Sequence, residues 1–165
     1  MTQASERDAA PAGAPLRLLC DEMLAALARW LRAAGHDTAL AARGEDDGSL
    51  IVRAAAEGRT ILTRDTALAA RATAAVLLAT DSLDAQAMAL ARSPGVDWMA
   101  APFTRCLLDN APLRPATAAE AAGAPAGARF PDGPFRTCPH CLRLYWPGSH
   151  VRRMAARLER WASGP

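Results

Sequence analysis

The chain has 165 residues, 51% of them hydrophobic, which is enough for one buried core and a small additional module. Its net charge of +2 is unevenly distributed, because residues 129–165 carry seven arginines against two acids, a pattern common in proteins that contact nucleic acid. No stretch approaches the eighteen or so apolar residues of a membrane span, which excludes a membrane-spanning helix.

The start of the chain predicts an unstructured segment. The sequence MTQASERDAAPAGAP lacks the apolar core of a signal peptide, so we expect a disordered leader over residues 1–15. Four cysteines without a secretory signal favour metal binding or free thiols in a reducing compartment over disulfides. We therefore expect a cytoplasmic protein.

From residue 16 to residue 97, apolar runs of strand length alternate with segments of helical periodicity. The apolar runs predict four strands, at residues 16–20, 38–42, 60–62 and 75–79. The other segments predict four helices, at residues 21–35, 46–58, 66–72 and 82–93. Strands that alternate with helices imply right-handed crossovers and a mostly parallel sheet.

Beyond residue 100 the pattern changes to that of a small cysteine-containing module, which we assign to residues 101–150. It is interrupted by a low-complexity insert at residues 116–129, which we expect to be mobile.

The last segment, residues 151–165, predicts a basic amphipathic helix, with Ser149 as its expected N-cap. The polar face of this helix is either a solvated surface or a surface that follows RNA phosphates. That face carries Arg153, Arg157 and Arg160.

Every loop that follows a predicted strand contains an aspartate. These aspartates are Asp21, the pair Asp46 and Asp47, Asp65 and Asp81. Such loops emerge at one edge of a parallel sheet, where ligands bind. Each aspartate alone is also a favourable helix N-cap. Together, however, carboxylates in one crevice stay ionised only beside a cation, and Mg²⁺ or Mn²⁺ suits their oxygens best.

A divalent ion held by carboxylates activates water and stabilises charge on a phosphoryl oxygen, so these residues favour metal-dependent phosphodiester hydrolysis. Two other classes that use the same sheet edge are disfavoured. A phosphoacceptor receiver domain requires a lysine late in the sheet, and this chain has no lysine. A Rossmann domain requires a glycine-rich turn after the first strand, where this chain has CDEML.

The second candidate site is a zinc site in the cysteine-containing module. Cys138 and Cys141 have the spacing of half a tetrahedral zinc site. Upstream, Cys106 and Asp109 complete a possible set of three thiolates and one carboxylate, with His140 as a substitute ligand. Two outcomes stay open: an occupied zinc site, or a ribbon held together by packing alone.

Several other residues have two interpretations. Tyr145 and Trp146, beside Arg143, either stack on RNA bases or fill the core of the small module, and we favour the core. We expect Cys20 to be inert packing in a buried strand. We take His36 and His150 to be surface or structural residues.

Four segments in this order resemble the Mut-seven C-terminal RNase family, and the likeness covers nearly all of residues 16–158. The segments are LLCDEMLAALARWLRAAGHD, GRTILTRD, FTRC…NAPLRP and CPHCLRLYWPGSHVRRM. The resemblance implies an α/β, PIN-like three-layer fold over residues 16–100, with a parallel sheet and helices on both faces. A small zinc-ribbon-like module and a C-terminal helix follow.

The resemblance also implies metal-dependent cleavage of RNA. By motif position, Asp21 matches the acid after the first strand and Asp65 the acid of the LTRD segment. Asp47 resembles the acid that opens the second helix, with Asp46 as its rival. Asp81 resembles the acid after the fourth strand and is preferred over Asp84. At Asp109, the ribbon of the family usually has a second cysteine.

We therefore expect a ribonuclease in which Asp21, Asp47, Asp65 and Asp81 hold one or two Mg²⁺ or Mn²⁺ ions. Arg64 and Arg29 are candidates for steadying the phosphate, and a structural ion pair is the alternative for Arg29. The residues expected to bind RNA are Arg29, Arg143, Arg153, Arg157 and Arg160. The alternatives are a non-catalytic RNA- or ribosome-binding adaptor, or a toxin-like nuclease controlled by a partner. A protein partner or a homo-oligomer is compatible with either.

Overall fold

The computed structural model of the protein describes residues 13–125 and 134–164. Most of the predicted leader, up to residue 12, and residues 126–129 of the predicted insert lie outside the described residues.

The centre of the fold is a four-stranded, fully parallel sheet in the order β2-β1-β3-β4. Its strands are β1 (Arg17–Cys20), β2 (Asp37–Leu40), β3 (Thr60–Thr63) and β4 (Ala75–Leu77). The prediction of a mixed α/β fold with a parallel sheet is thus confirmed. The apolar runs form strands because their side chains are buried alternately on the two faces of the sheet.

Six α-helices are described in residues 13–125 and 134–164. They are α1 (Ala25–Ala33), α2 (Asp47–Glu57), α3 (Thr66–Arg71), α4 (Leu83–Arg92), α5 (Ala118–Ala122) and α6 (Ser149–Ser163). A single 3₁₀ turn, Glu22–Leu24, precedes α1. No helix among the described residues combines the length and apolar character needed to cross a membrane.

Helices cover both faces of the sheet, which produces three layers. On one face, Leu18 and Leu62 pack in a core that includes residues of α1, α4 and α6. On the other face, Leu19 and Ile61 pack against buried residues of α2 and α3. The alternation of neighbouring strand residues between the two cores is the period of two that a strand imposes.

The cysteine-containing module forms a second sheet of three short antiparallel strands, in the order β5-β6-β7. These strands are β5 (Arg114–Pro115), β6 (Arg136–Thr137) and β7 (Leu144–Tyr145).

Buried polar groups tie this module to the parallel sheet. Arg32 is only 6% exposed and donates to the carbonyls of Thr38 and Leu108 at 2.8 and 2.7 Å. Asn110 donates to the Asp37 carboxylate at 2.6 Å. These contacts link the first helix and second strand to the loop that carries Cys106 and Asp109.

The structure refines three details of the sequence analysis. The N-cap of α6 is Gly148, so the prediction of Ser149 was wrong. Of the two interpretations of His36, surface or structural, the structural one holds, because the residue is fully buried and its ring bonds the Leu16 amide and the Asp97 carbonyl. Part of the insert forms α5, where Thr117 and Glu120 make a reciprocal capping box that stabilises a short helix.

Candidate active site and metal centre

The carboxyl ends of β1 and β3 are neighbours at the middle of the sheet. The helix that follows β1, α1, packs on one face, whereas α3, which follows β3, packs on the other. This divergence opens a crevice at the carboxyl edge of the strands, the position at which open α/β sheets bind ligands. Asp21 and Asp65 lie at this point.

A buried threonine joins these two aspartates. The Thr63 hydroxyl donates to Oδ2 of Asp21 at 2.7 Å and accepts from the Asp65 amide at 3.0 Å. Thr63 is fully buried, so both bonds are shielded from water. Sequence reasoning missed Thr63; the available signal was a hydroxyl residue at the end of an apolar strand, immediately before Arg64 and Asp65.

Asp65 is a helix cap and a candidate ligand at once. Its Oδ1 accepts from the amides of Ala67 and Leu68, at 2.7 and 3.1 Å, and so caps α3. Within the described residues Oδ2 has no hydrogen-bond partner. One oxygen of Asp65 is thus committed to the fold, and the other is available at the crevice. Arg64, next to it, is exposed.

The structure distinguishes the two acids at the start of α2. Asp46 is the N-cap, with Oδ1 and Oδ2 accepting from the amide and hydroxyl of Ser49 at 3.0 and 2.6 Å. Hydrogen bonds from Ser49 hold the pKa of Asp46 below its usual range. Asp47 instead points its Oδ2 at Arg71 of α3, 3.1 Å away. Because both oxygens of Asp46 are used locally, Asp47 is the better candidate for the crevice.

Asp81 lies exposed in the loop after β4, and its neighbour Ser82, not Asp81, caps α4. Asp84 accepts from Arg157 at 2.9 Å and from the Trp161 indole at 2.8 Å. Asp84 therefore belongs to the contact between α4 and α6 and not to the crevice. This is compatible with the preference for Asp81 over Asp84 as a site residue, which stays a prediction.

The four aspartates follow the carboxyl ends of the strands, but they do not form a closed cage. Among the described residues, the only group of three or more His, Cys, Asp or Glu with ligand atoms within 4.8 Å of one another is the one in the small module. Mg²⁺, however, commonly keeps several waters and binds only one or two protein carboxylates. The hard oxygens of Asp21 and Asp65 fit such an ion.

That one compact group consists of Cys106, Asp109, Cys138 and Cys141. The sulfurs of Cys106 and Cys141 are 3.7 Å apart, far longer than a disulfide of about 2.05 Å. A tetrahedral zinc with bonds of about 2.3 Å separates two sulfurs by about 3.8 Å. The Cys138 sulfur lies 3.1 Å from the Asp109 carboxylate. Donor types and spacing therefore fit a tetrahedral zinc ion.

The environment of this group shifts the pKa of its carboxyl and of its buried thiol in opposite directions. Burial raises the pKa of the Asp109 carboxyl, but hydrogen bonds from the Ala111 amide and the thiols outweigh this and hold the pKa well below its usual range. Burial also raises the pKa of the Cys138 thiol to about 12. The Cys138 thiol thus donates to Asp109, and metal binding must release this proton.

Tyr145 supports the group from the outside. Its hydroxyl accepts from the Leu107 amide and lies 3.1 Å from the Cys106 sulfur, within hydrogen-bonding distance. Burial raises the pKa of Cys106, but the contact with Tyr145 and the backbone hydrogen bonds from Asp109 and Leu108 together hold that pKa below its usual range. By contrast, burial raises the pKa of Cys20 to about 12, which agrees with inert packing.

The five arginines expected to bind RNA have different environments. Arg153 and Arg160 are exposed on α6. Arg157 is not a solvated residue, because it pairs with Asp84 and lies over the rings of Trp30 and Trp161 at 5.1 and 5.0 Å. The Arg157 guanidinium is thus engaged within the protein, and its contact with RNA stays a prediction. The other two, Arg29 and Arg143, lie at a cavity beside the small module.

Comparisons with known proteins give a family match for this chain. The family model described as Mut7-C RNAse domain matches residues 16–158 of the chain. No curated protein and no solved structure matches it.

Proposed function

The chain belongs to the Mut7-C RNAse domain family, and from this premise we propose that it is a metal-dependent ribonuclease that hydrolyses phosphodiester bonds in RNA. The observation that carries the proposal is the bridge from Asp21 through Thr63 to Asp65 at the switch point of the sheet. The buried Thr63 hydroxyl orients the carboxylate of Asp21 and holds the backbone of Asp65. The Asp65 carboxylate itself is oriented by the amides of Ala67 and Leu68.

Asp21 and Asp65 would hold Mg²⁺ or Mn²⁺, with Asp47 and Asp81 as further ligands from the neighbouring loops. When bound, such an ion activates water and offsets negative charge on the phosphoryl oxygens. The protein orients the carboxylates beforehand, because Thr63 fixes Asp21 and the amides of α3 fix Asp65. This pre-organisation lowers the reorganisation needed when substrate binds.

Two arginines would contribute at the edge of the crevice. Arg64 is exposed beside Asp65, where its planar guanidinium can bind a phosphate in bidentate fashion. Arg71 pairs with Asp47 through a contact that is about half exposed, so water screens it and the pair separates at little cost. Asp47 is thus available to a cation that competes with Arg71.

We assign a second, structural role to the group formed by Cys106, Asp109, Cys138 and Cys141. These residues would hold Zn²⁺ and fix the loop of β6–β7 against the segment before β5. A structural ion of this kind contributes directly to the folding free energy of a small module with little core of its own.

The test compares two aspartates that cap neighbouring helices. Asp65→Asn keeps the amide-accepting oxygen of the cap of α3 and so preserves the fold, but it removes the carboxylate charge. We expect Mn²⁺-dependent cleavage of a mixed cellular RNA pool to fall by at least about 100-fold, the scale on which one essential electrostatic group acts.

Asp46→Asn is the matched control, because it makes the same change at the cap of α2, where both oxygens are used locally. It should cleave like the parent. Equal cleavage by Asp65→Asn and the parent would contradict the proposal. RNA binding without cleavage in Mg²⁺ or Mn²⁺ would instead identify a non-catalytic RNA-binding adaptor.

A further inference from the structure

A cavity of about 430 Å³ lies between the parallel-sheet domain and the small module. We call it the arginine cavity. Its walls come from α1 at Arg29, from the segment 102–108, from β6 and β7, and from the start of α6. It is separate from the carboxylate edge: Arg29 follows Asp21 by eight residues, which is roughly 12 Å along a helix.

Within residues 13–125 and 134–164, the side chains that line this cavity carry charge of one sign. They include Arg29, Arg105, Arg136 and Arg143, with no aspartate or glutamate. Among the described residues, Arg29, Arg136 and Arg143 have no ion pair or side-chain hydrogen bond. Arg105 is partly used by the Asn110 carbonyl at 2.9 Å. Three unpaired guanidinium groups around one concave space favour a ligand that carries negative charge.

The cavity also presents aromatic surface. The Tyr145 hydroxyl is held by its bonds to Cys106 and Leu107. This agrees with the expectation that Tyr145 fills the core of the small module. Trp146 is only partly buried and packs beside Gly148, where even a Cβ atom would lie 3.0 Å from its indole nitrogen. No ring stacking or cation–π contact of Trp146 is present among the described residues, so its ring face is available within the cavity.

We propose that the arginine cavity binds one nucleotide of single-stranded RNA, with the base against Trp146 and phosphate oxygens on Arg29 and Arg143. The inference rests on the proposed function for the identity of the polymer as RNA. An aromatic face binds any unstacked base, and arginine forks bind phosphate, so this combination fits a nucleotide better than an acidic peptide, which has no ring to stack. A duplex keeps its bases stacked and cannot offer one to the cavity.

The position of the cavity makes it an extension of the substrate path. Because Arg29 and the catalytic Asp21 share the segment that leads from β1 into α1, one RNA strand can occupy the cavity and the carboxylate edge together. The site would thus hold the strand beside the cleavage point and select single-stranded over double-stranded RNA.

The test measures binding of the full chain to a fluorescein-labelled single-stranded RNA decamer by anisotropy, without added Mg²⁺ or Mn²⁺, with gels to verify intact RNA. Arg143→Ala and Arg29→Ala each remove an exposed, unpaired arginine and leave the core untouched. We expect each to raise Kd about ten- to hundredfold, the usual scale of one hydrogen bond between charged groups. Each should also reduce the slope of log Kd against log salt concentration by about 0.7.

Arg92→Ala is the matched control, because it removes an exposed arginine of α4 that does not line the cavity. Its Kd and salt slope should equal those of the parent. Trp146→Leu should raise Kd at least about fivefold, whereas Trp146→Phe, which retains a ring, should bind nearly as the parent does. Circular dichroism of each variant checks the fold.

Competition identifies the ligand. A nucleoside monophosphate should displace the labelled RNA at lower concentration than inorganic phosphate or a polyglutamate peptide, and duplex RNA should bind more weakly. Two results would overturn the proposal. One is that Arg143→Ala and Arg29→Ala bind RNA with the same Kd as Arg92→Ala; the other is that polyglutamate displaces the labelled RNA as well as the nucleotide does. Because these assays need no cleavage, a parent that binds through the cavity but never cuts would refute only the ribonuclease function.

Discussion

One hydroxyl group organises the candidate active site. Thr63 is the last residue of a buried strand, where an apolar side chain would complete the core, yet its oxygen connects two loops of the crevice. A buried polar group of this kind is maintained only if its bonds are satisfied, and both bonds of Thr63 are made within the site. Its role is therefore to position Asp21 and Asp65.

Replacing Thr63 tests this positioning role. Thr63→Val keeps the shape but removes both bonds and leaves the partly buried Asp65 amide without its partner, which costs about 1 kcal/mol of stability. We expect Mn²⁺-dependent cleavage to fall about 10- to 100-fold because Asp21 loses its fixed orientation.

Thr63→Ser, which restores the hydroxyl, should recover most of the cleavage activity. If Thr63 has only a structural role, Thr63→Val and Thr63→Ser should differ in melting temperature. Their kcat values should then be equal at a temperature where both are folded. Equal kcat values for Thr63→Val and the parent would contradict the positioning role.

Residue types and spacing identified the aspartates of the crevice, but they did not separate Asp46 from Asp47. Both are acids at a helix start. Only the position of Ser49 in the structure shows that both carboxylate oxygens of Asp46 accept hydrogen bonds at the helix cap. The contacts of Arg157 were not predictable for a related reason. The helix pattern places it on the polar face of α6, but only the tertiary fold shows that it contacts Asp84 and two indole rings.

The elements of the parallel sheet were predictable because their patterns are local. The apolar runs match β1 to β4, and the first helix, expected over residues 21–35, ends at Ala33. The 3₁₀ turn before α1 and the short helix α5 were not predicted. The capping box of Thr117 and Glu120 outweighs the low complexity of its surroundings, and propensity alone does not show this.

The turn after α1 depends on Gly35 for two reasons. Gly35 has φ of +98°, and a Cβ atom there would lie 2.2 Å from the carbonyl oxygen of Ala101. Gly35→Ala therefore combines backbone strain with a collision against the segment that leads to Cys106. We expect a loss of at least about 3 kcal/mol in the free energy of unfolding, measured by urea denaturation.

Gly58 provides the comparison at the end of α2. It also has a left-handed backbone, with φ of +61°, but nothing lies within 4 Å of a Cβ atom built there. Gly58→Ala should thus lose only about 1 kcal/mol, from strain alone. Similar decreases in the free energy of unfolding for both variants would show that the close contact between Ala101 and residue 35 contributes nothing to the destabilisation.

At the scale of the whole molecule, the small module and the parallel sheet share buried polar contacts that no local pattern reveals. Arg32 and Asn110 connect residues that are more than seventy positions apart in the chain. Sequence spacing predicted the group that could hold a metal ion, formed by Cys106, Asp109, Cys138 and Cys141. It could not show that the loop of Cys106 and Asp109 is anchored to α1 and β2. Such long-range bonds depend on the tertiary fold.

Because of the same connection, a metal bound to the group in the small module would affect the whole protein. We expect the purified chain to contain about one zinc per molecule by elemental analysis, and Cys138→Ser to lose it, because the thiolate supplies a ligand. Asp109→Cys should retain zinc against a higher concentration of chelator than the parent, since a fourth thiolate suits zinc better than a carboxylate.

Cys20→Ala is the control, because Cys20 is the buried cysteine of β1 and lies outside the ligand group. It should keep its zinc. Removing zinc from the parent should loosen the wall of the arginine cavity that β6 and β7 form, and so weaken RNA binding, while the parallel sheet keeps its helical circular dichroism. A zinc-free parent with the same unfolding curve and RNA affinity in chelator would show that packing alone holds the module together.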